Sequence, residues 1–179
     1  MNSADTVVNS IPDTVLDESQ KVWVDSFPID NHLNNVVDSG KEVSRDQLLA
    51  YAKTLIGTPY KYASIDPAEG LDCSGFITHV FNHFSINVPR SSVDFTNYGV
   101  PVNLADAETG DLILFSETDT LSKVVGHMGI VTEIIDGELQ FIHSTSGKAY
   151  AVTISKLNEH YRKRFVKVIR ISYARNGKL

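Results

Sequence analysis

A chain of 179 residues with 42% hydrophobic and 21% charged side chains is most naturally one globular domain with a tail. Its formal net charge of −6 argues against a nucleic-acid binder, which needs a basic face. A single cysteine excludes an internal disulfide framework and a Cys-rich structural zinc site, and no stretch approaches the ~18 consecutive apolar residues of a membrane-spanning helix.

Residues 1–43 are acidic, rich in Asp, Asn and Ser, and without periodicity, which reads as an N-terminal extension or linker. Within it KVWVDSFPI (21–29) offers Trp23, Phe27 and Ile29 to a packing surface. The opening MNSADTVVNS has neither a basic n-region nor an apolar h-region. That start fits a cytoplasmic protein and equally one whose leader has been removed.

A folded domain is expected over 44–179. Ser44 and Gln47 form a capping box, Val43 and Leu48 a hydrophobic staple, and Leu48, Leu49, Ala52, Leu55 and Ile56 one apolar stripe stopped by Gly57. TPYKYASIDPAEG (58–70) has two prolines and a glycine and must be a loop. A second helix follows, with Asp72 as N-cap, Cys73 in its first turn, and Phe76, Ile77, Val80, Phe81 and Phe84 on its buried face.

After NVPRSS (87–92) the period changes from 3.6 to 2. DLILF (111–115), HMGIVTEII (127–135), LQFIH (139–143), AYAVTI (149–154) and FVKVIRI (165–171) read as strands, with a short helical piece at 156–161. Helices first and then a meander of strands predict an α+β fold with an antiparallel sheet.

Cys73 carries the chemistry this pattern suggests. A helix N-terminus favours negative charge, and beside a basic group thiols ionise readily, so a thiolate is expected there. Of the six histidines, His127 and His143 fall at the ends of neighbouring strands, where one can act as general base and the other orient it. A satisfied structural role is the alternative for either histidine taken alone. His79 and His83 are four residues apart on a helix but lack the glutamate of HExxH, and they read as flanking residues and not as metal ligands.

LIGTPYKY, GLDCSGF, VPRSS, TGDLILF, GHMGIV and QFIHSTS, in this order, resemble the NlpC/P60 family of papain-like cysteine peptidases. The resemblance covers roughly 44–171 and implies the papain-like NlpC/P60 fold, with the nucleophile at a helix N-terminus. Family members cleave cell-wall peptides, typically between γ-D-glutamyl and a diamino acid such as meso-diaminopimelate or lysine. It implies Cys73 as nucleophile, His127 as base, His143 as the residue that fixes the imidazole, and Tyr60 as an oxyanion donor. Asp72, Ser74, Arg90 and Ser91 would line the substrate cleft, Asp72 facing a substrate ammonium and Arg90 a carboxylate. Helix cap and surface residue are the alternatives for these last two.

No cofactor and no metal are implied. The partner would be peptidoglycan or a muropeptide, acted on by a monomer in the cell envelope or outside it, or in the cytoplasm during muropeptide recycling. Ala63–Ser64 replace two glycines common in the family, and SETDTLSKVV (116–125) is long enough for a lid or specificity loop. Residues 1–43 are short for the SH3-like domain of some relatives. An acyltransferase or a cell-wall amidase could use the same residues; a Cys/His metal site or a non-catalytic wall-binding module are the remaining alternatives.

Overall fold

Ser44 starts the first helix as predicted: its hydroxyl accepts the Gln47 N–H at 3.1 Å, and its own N–H donates to Gln47 Oε1 at 3.0 Å. Helix α1, Arg45–Thr54, buries Leu48, Leu49 and Ala52. It stops two residues short of the end of the predicted stripe, so Leu55 becomes the C-cap and Ile56 is exposed. These features come from a computed structural model, which describes residues 42–117 and 123–173. The packing expected of Trp23, Phe27 and Ile29, and the middle of the expected lid loop (118–122), lie outside the described residues.

Helix α2, Cys73–His83, is capped by Asp72, whose Oδ1 accepts the Gly75 N–H at 2.6 Å. Phe76, Ile77, Val80 and Phe81 are fully buried, as their spacing requires. A Cβ on Gly75 would run into the Ser64 carbonyl, so glycine lets the loop before α2 close against its first turn. His79 and His83 grip Tyr51 of α1, His79 Nε2 lying 2.9 Å from the Tyr51 hydroxyl and the His83 ring 3.6 Å from the tyrosine ring. They join two helices, and among the described residues no cluster of His, Cys, Asp or Glu is placed to hold a metal ion.

The sheet is antiparallel throughout. Its strands are β1 (Val100–Val102), β2 (Leu112–Ser116), β3 (Val125–Ile135), β4 (Glu138–Ser144), β5 (Val152–Lys156) and β6 (Phe165–Arg170), in spatial order β1-β6-β2-β3-β4-β5. The α+β fold with an antiparallel sheet is therefore the observed one. Strand β1, with Pro101 at its centre, carries no alternation that would have announced it. The short helix α3, Glu159–Arg164, overlaps the predicted piece but begins three residues later, and β5 begins at Val152 and not at Ala149.

β2 lies between β3 and β6 and is buried on both faces, which is why DLILF reads as a continuous apolar run. Leu112 and Leu114 join the core under α1 and α2; Ile113 and Phe115 join a second cluster with Val131, Phe141 and Val168. Among the described residues no helix is long and apolar enough to cross a membrane.

Candidate active site

Cys73 is the first residue of α2, and its thiol donates to the carbonyl of Gly126 at 3.7 Å. That carbonyl belongs to the residue just before His127, so the helix start and the mouth of β3 meet at the sulfur. The thiol is not hydrogen-bonded to either imidazole. The two imidazoles meet each other: His127 Nε2 lies 2.8 Å from His143 Nδ1. The far nitrogen of His143 is 3.0 Å from Ser155 Oγ on β5 and 3.5 Å from the Tyr161 hydroxyl on α3. Tyr161 also stacks beside His127, their planes 20° apart.

Register explains this row. His143 pairs with Thr153 across β4–β5, so Ser155 lies two residues along the same face. Phe115 pairs with His127 across β2–β3. The sequence reading missed Ser155 and Tyr161, since its β5 ended at Ile154 and nothing local announces which strand position faces His143.

The expected thiolate is not what the surroundings favour. Burial, with the Asp72 carboxylate second, pushes the Cys73 thiol up to about 11. The backbone N–H groups of Ser74 and of Cys73 itself, with Arg90, act in the opposite direction and do not prevail. The helix start does favour the anion, but desolvation outweighs it. Burial also holds His127 well below the usual imidazole range, with the charges of His143 and Arg164 adding to the effect. His143 is drawn down to about 4, by burial first and then by Arg164. At neutral pH the site holds a thiol and two neutral rings.

A cavity of about 620 Å³ opens on the cysteine side, lined by Tyr60, Asp72, Cys73, Ser74, Arg90 and Ser91 among others. Every cleft residue expected from the sequence is on this wall. Asp72 and Arg90, expected to face substrate charges separately, are paired: Arg90 Nη2 donates to Asp72 Oδ2 at 2.6 Å and Nη1 to Oδ1 at 3.1 Å. Ser74 Oγ donates to Asp72 Oδ1 at 3.2 Å and accepts from Arg90 Nη1 at 2.9 Å. Asp72 is thus more than a helix cap, and Arg90 more than a surface residue.

The Tyr60 ring packs edge-on against Tyr150, 5.5 Å between centroids, and burial beside Cys73 and Asp72 raises its hydroxyl so that it stays a donor. Ala63 has φ 58°, the left-handed conformation that glycine adopts without strain, so alanine here keeps the backbone path and adds a methyl to the cavity wall.

A model described as the NlpC/P60 family matches residues 57–170. The chain belongs to that family. It is 30% identical over 131 residues to a gamma-DL-glutamyl hydrolase of Bacillus subtilis (strain 168), an alignment covering 73% of this chain and 31% of the relative. It is 35% identical over 97 residues to the murein DD-endopeptidase MepS/murein LD-carboxypeptidase of Escherichia coli (strain K12), covering 54% of this chain and 46% of the relative. The crystal structure of an NlpC/P60 family protein from Bacillus cereus ATCC 10987 superposes with a TM-score of 0.65 at 29% identity, over 75% of this chain and 42% of that one. The chain spans a third to a half of the length of these relatives.

Proposed function

We propose that this NlpC/P60 chain is a cysteine peptidase that hydrolyses peptidoglycan stem peptides at the γ-D-glutamyl–diamino acid bond, through a thioester on Cys73. The catalytic domain is 44–179, preceded by the extension 1–43, and it acts on cell-wall material in the envelope. The observation that carries this reading is the row Ser155–His143–His127 ending one residue from the carbonyl that holds the thiol. The name murein DD-endopeptidase borne by one relative supports the substrate class, and gamma-DL-glutamyl hydrolase, borne by another, supports the acyl group.

Proton placement follows from the row. For His127 to take a proton at Nδ1, that nitrogen must be bare and Nε2–H must donate to His143 Nδ1. His143 then carries its proton on Nε2 and donates it to Ser155. Ser155 as acceptor therefore fixes the tautomers of both rings. As Cys73 attacks the γ-carbonyl carbon, the S–H proton passes to His127 Nδ1, the C–S bond forms and the carbonyl oxygen becomes an oxyanion. The Cys73 N–H and the Tyr60 hydroxyl are the donors for that oxyanion, each worth about 3–4 kcal/mol of barrier. Collapse breaks the C–N bond, and His127 returns its proton to the leaving amine. Water, deprotonated by His127, then hydrolyses the thioester and restores the thiol.

The test is mass spectrometry of products from tri-, tetra- and pentapeptide muropeptides of diaminopimelate and lysine type, with a γ-linked glutamate oligomer in parallel. Fragments beginning at the diamino acid are expected from the wild type and none from Cys73→Ala. Fragments released at the glycan–peptide amide would make the chain an amidase and overturn the assignment.

A further inference from the structure

The proton that His127 takes from the thiol must be handed to the leaving nitrogen, so the leaving segment lies over the His127 ring and not on the cysteine side. His127 does not line the cavity around Cys73. It lines a second one of about 790 Å³, formed with the β4–β5 loop and α3. The two cavities differ in charge. The first carries Asp72 and Glu117 with one guanidinium, Arg90. The second carries Lys148 and Arg164, with His160 beside them, and no carboxylate among the described residues that line it.

The two cations are held differently. Arg164 is pinned: Nε and Nη2 donate to the Ser116 carbonyl at 3.0 and 2.8 Å, Nε also to the Glu117 carbonyl at 2.9 Å, and Nη1 lies 3.4 Å from His160 Nε2. It contributes a fixed positive potential and no free fork for a ligand. Lys148 stands on the loop after β4, exposed and with no carboxylate partner among the described residues. A flexible ammonium at the rim, backed by a fixed guanidinium and the Ser146 hydroxyl, is a receptor for a carboxylate.

We propose that the cavity beside His127 is the subsite for the leaving segment and selects one bearing a free carboxylate close to the leaving nitrogen, with Lys148 as the selecting charge. This deepens the peptidase reading and rests on it. A leaving diamino acid whose own carboxyl is free fits that class, and so does a leaving γ-linked glutamate. An amidated or capped leaving residue does not.

The test compares paired γ-D-glutamyl peptides whose leaving residue ends in a carboxylate or a carboxamide, with a diamino acid and with glutamate in that place to separate the two sources. For the wild type kcat/KM favours the acid about 10-fold. The ratio falls to near 1 in Lys148→Ala, inverts in Lys148→Glu, and is kept in Arg162→Ala, an exposed cation outside the cavity. Cleavage of acid and amide at equal rates overturns the subsite and leaves the peptidase reading standing. Cleavage of neither overturns the peptidase reading, and the subsite is then read by binding: in Cys73→Ala, the free leaving residue at about 10 mM should shift the backbone amide resonances of residues 146–149, its amide should not, and Lys148→Glu should abolish the shift. Absence of that shift overturns the subsite whatever the hydrolysis result.

Discussion

The start of α2 and the strand-end row are built in opposite ways. The first is mostly local: Asp72, Cys73, Ser74 and Gly75 are consecutive and the cap spans three residues, with Arg90 and the Gly126 carbonyl drawn in from a distance. The second is drawn from four elements, β3, β4, β5 and α3, and exists only because the strand register aligns them. The local half places the sulfur; the long-range half decides what can happen to its proton. Neither alone is a catalyst on the proposed reading.

Stepwise truncation along the row sharpens this contrast most. His127→Ala removes the base and should lower kcat by at least ~10³-fold, whereas His143→Asn keeps a polar neighbour and should lose about 10²-fold. Ser155→Ala should lose less than about 10-fold, because Tyr161 remains at 3.5 Å from the same nitrogen. Steady-state kinetics with circular dichroism as a folding control check the order. A Ser155 variant as damaged as the His127 variant would break it.

The strand-end row should also make stability depend on pH. His143 binds its proton at about 4 when folded, against an ordinary value near 6.5, so between these the unfolded chain binds more protons. Its contribution is fully present above 6.5 and is lost as pH falls through 6.5 toward 4. It amounts to about 3 kcal/mol, and His127 shifts in the same direction. Urea unfolding at pH 7 and at pH 4.5 measures the two together; His143→Phe should shrink the difference and leave the part owed to His127.

The helix start predicts a smaller loss, of stability as well as activity. Asp72→Ala removes the cap and leaves Arg90 without its carboxylate, which should cost about 2 kcal/mol. Arg90→Ala should cost less, because its side chain is 41% exposed and Asp72 keeps the Gly75 N–H. The urea midpoints of the two variants give the comparison directly.

What the sequence revealed follows the same division. Both helices, the Asp72 cap and the position of Cys73 were readable because caps and apolar stripes act within a few residues. The adjacency of His127 and His143 was readable from two strand ends and one turn. Ser155, Tyr161 and Arg164 were not, since register and the placement of α3 are set by packing between distant elements. The thiol's charge was misjudged for a related reason: the dipole that favours ionisation is local, while the burial that opposes it comes from the folded surroundings. Strand β1, three residues with a central proline, had no pattern to read.

Rapid-quench mass spectrometry with a γ-D-glutamyl–diamino acid peptide tests the central claim most directly. An acyl adduct should build up on the Cys73-containing peptide within the first turnover, at a much lower rate in His127→Ala and not at all in Cys73→Ala. Undiminished cleavage by Cys73→Ala, or an adduct on any other residue, would contradict the account.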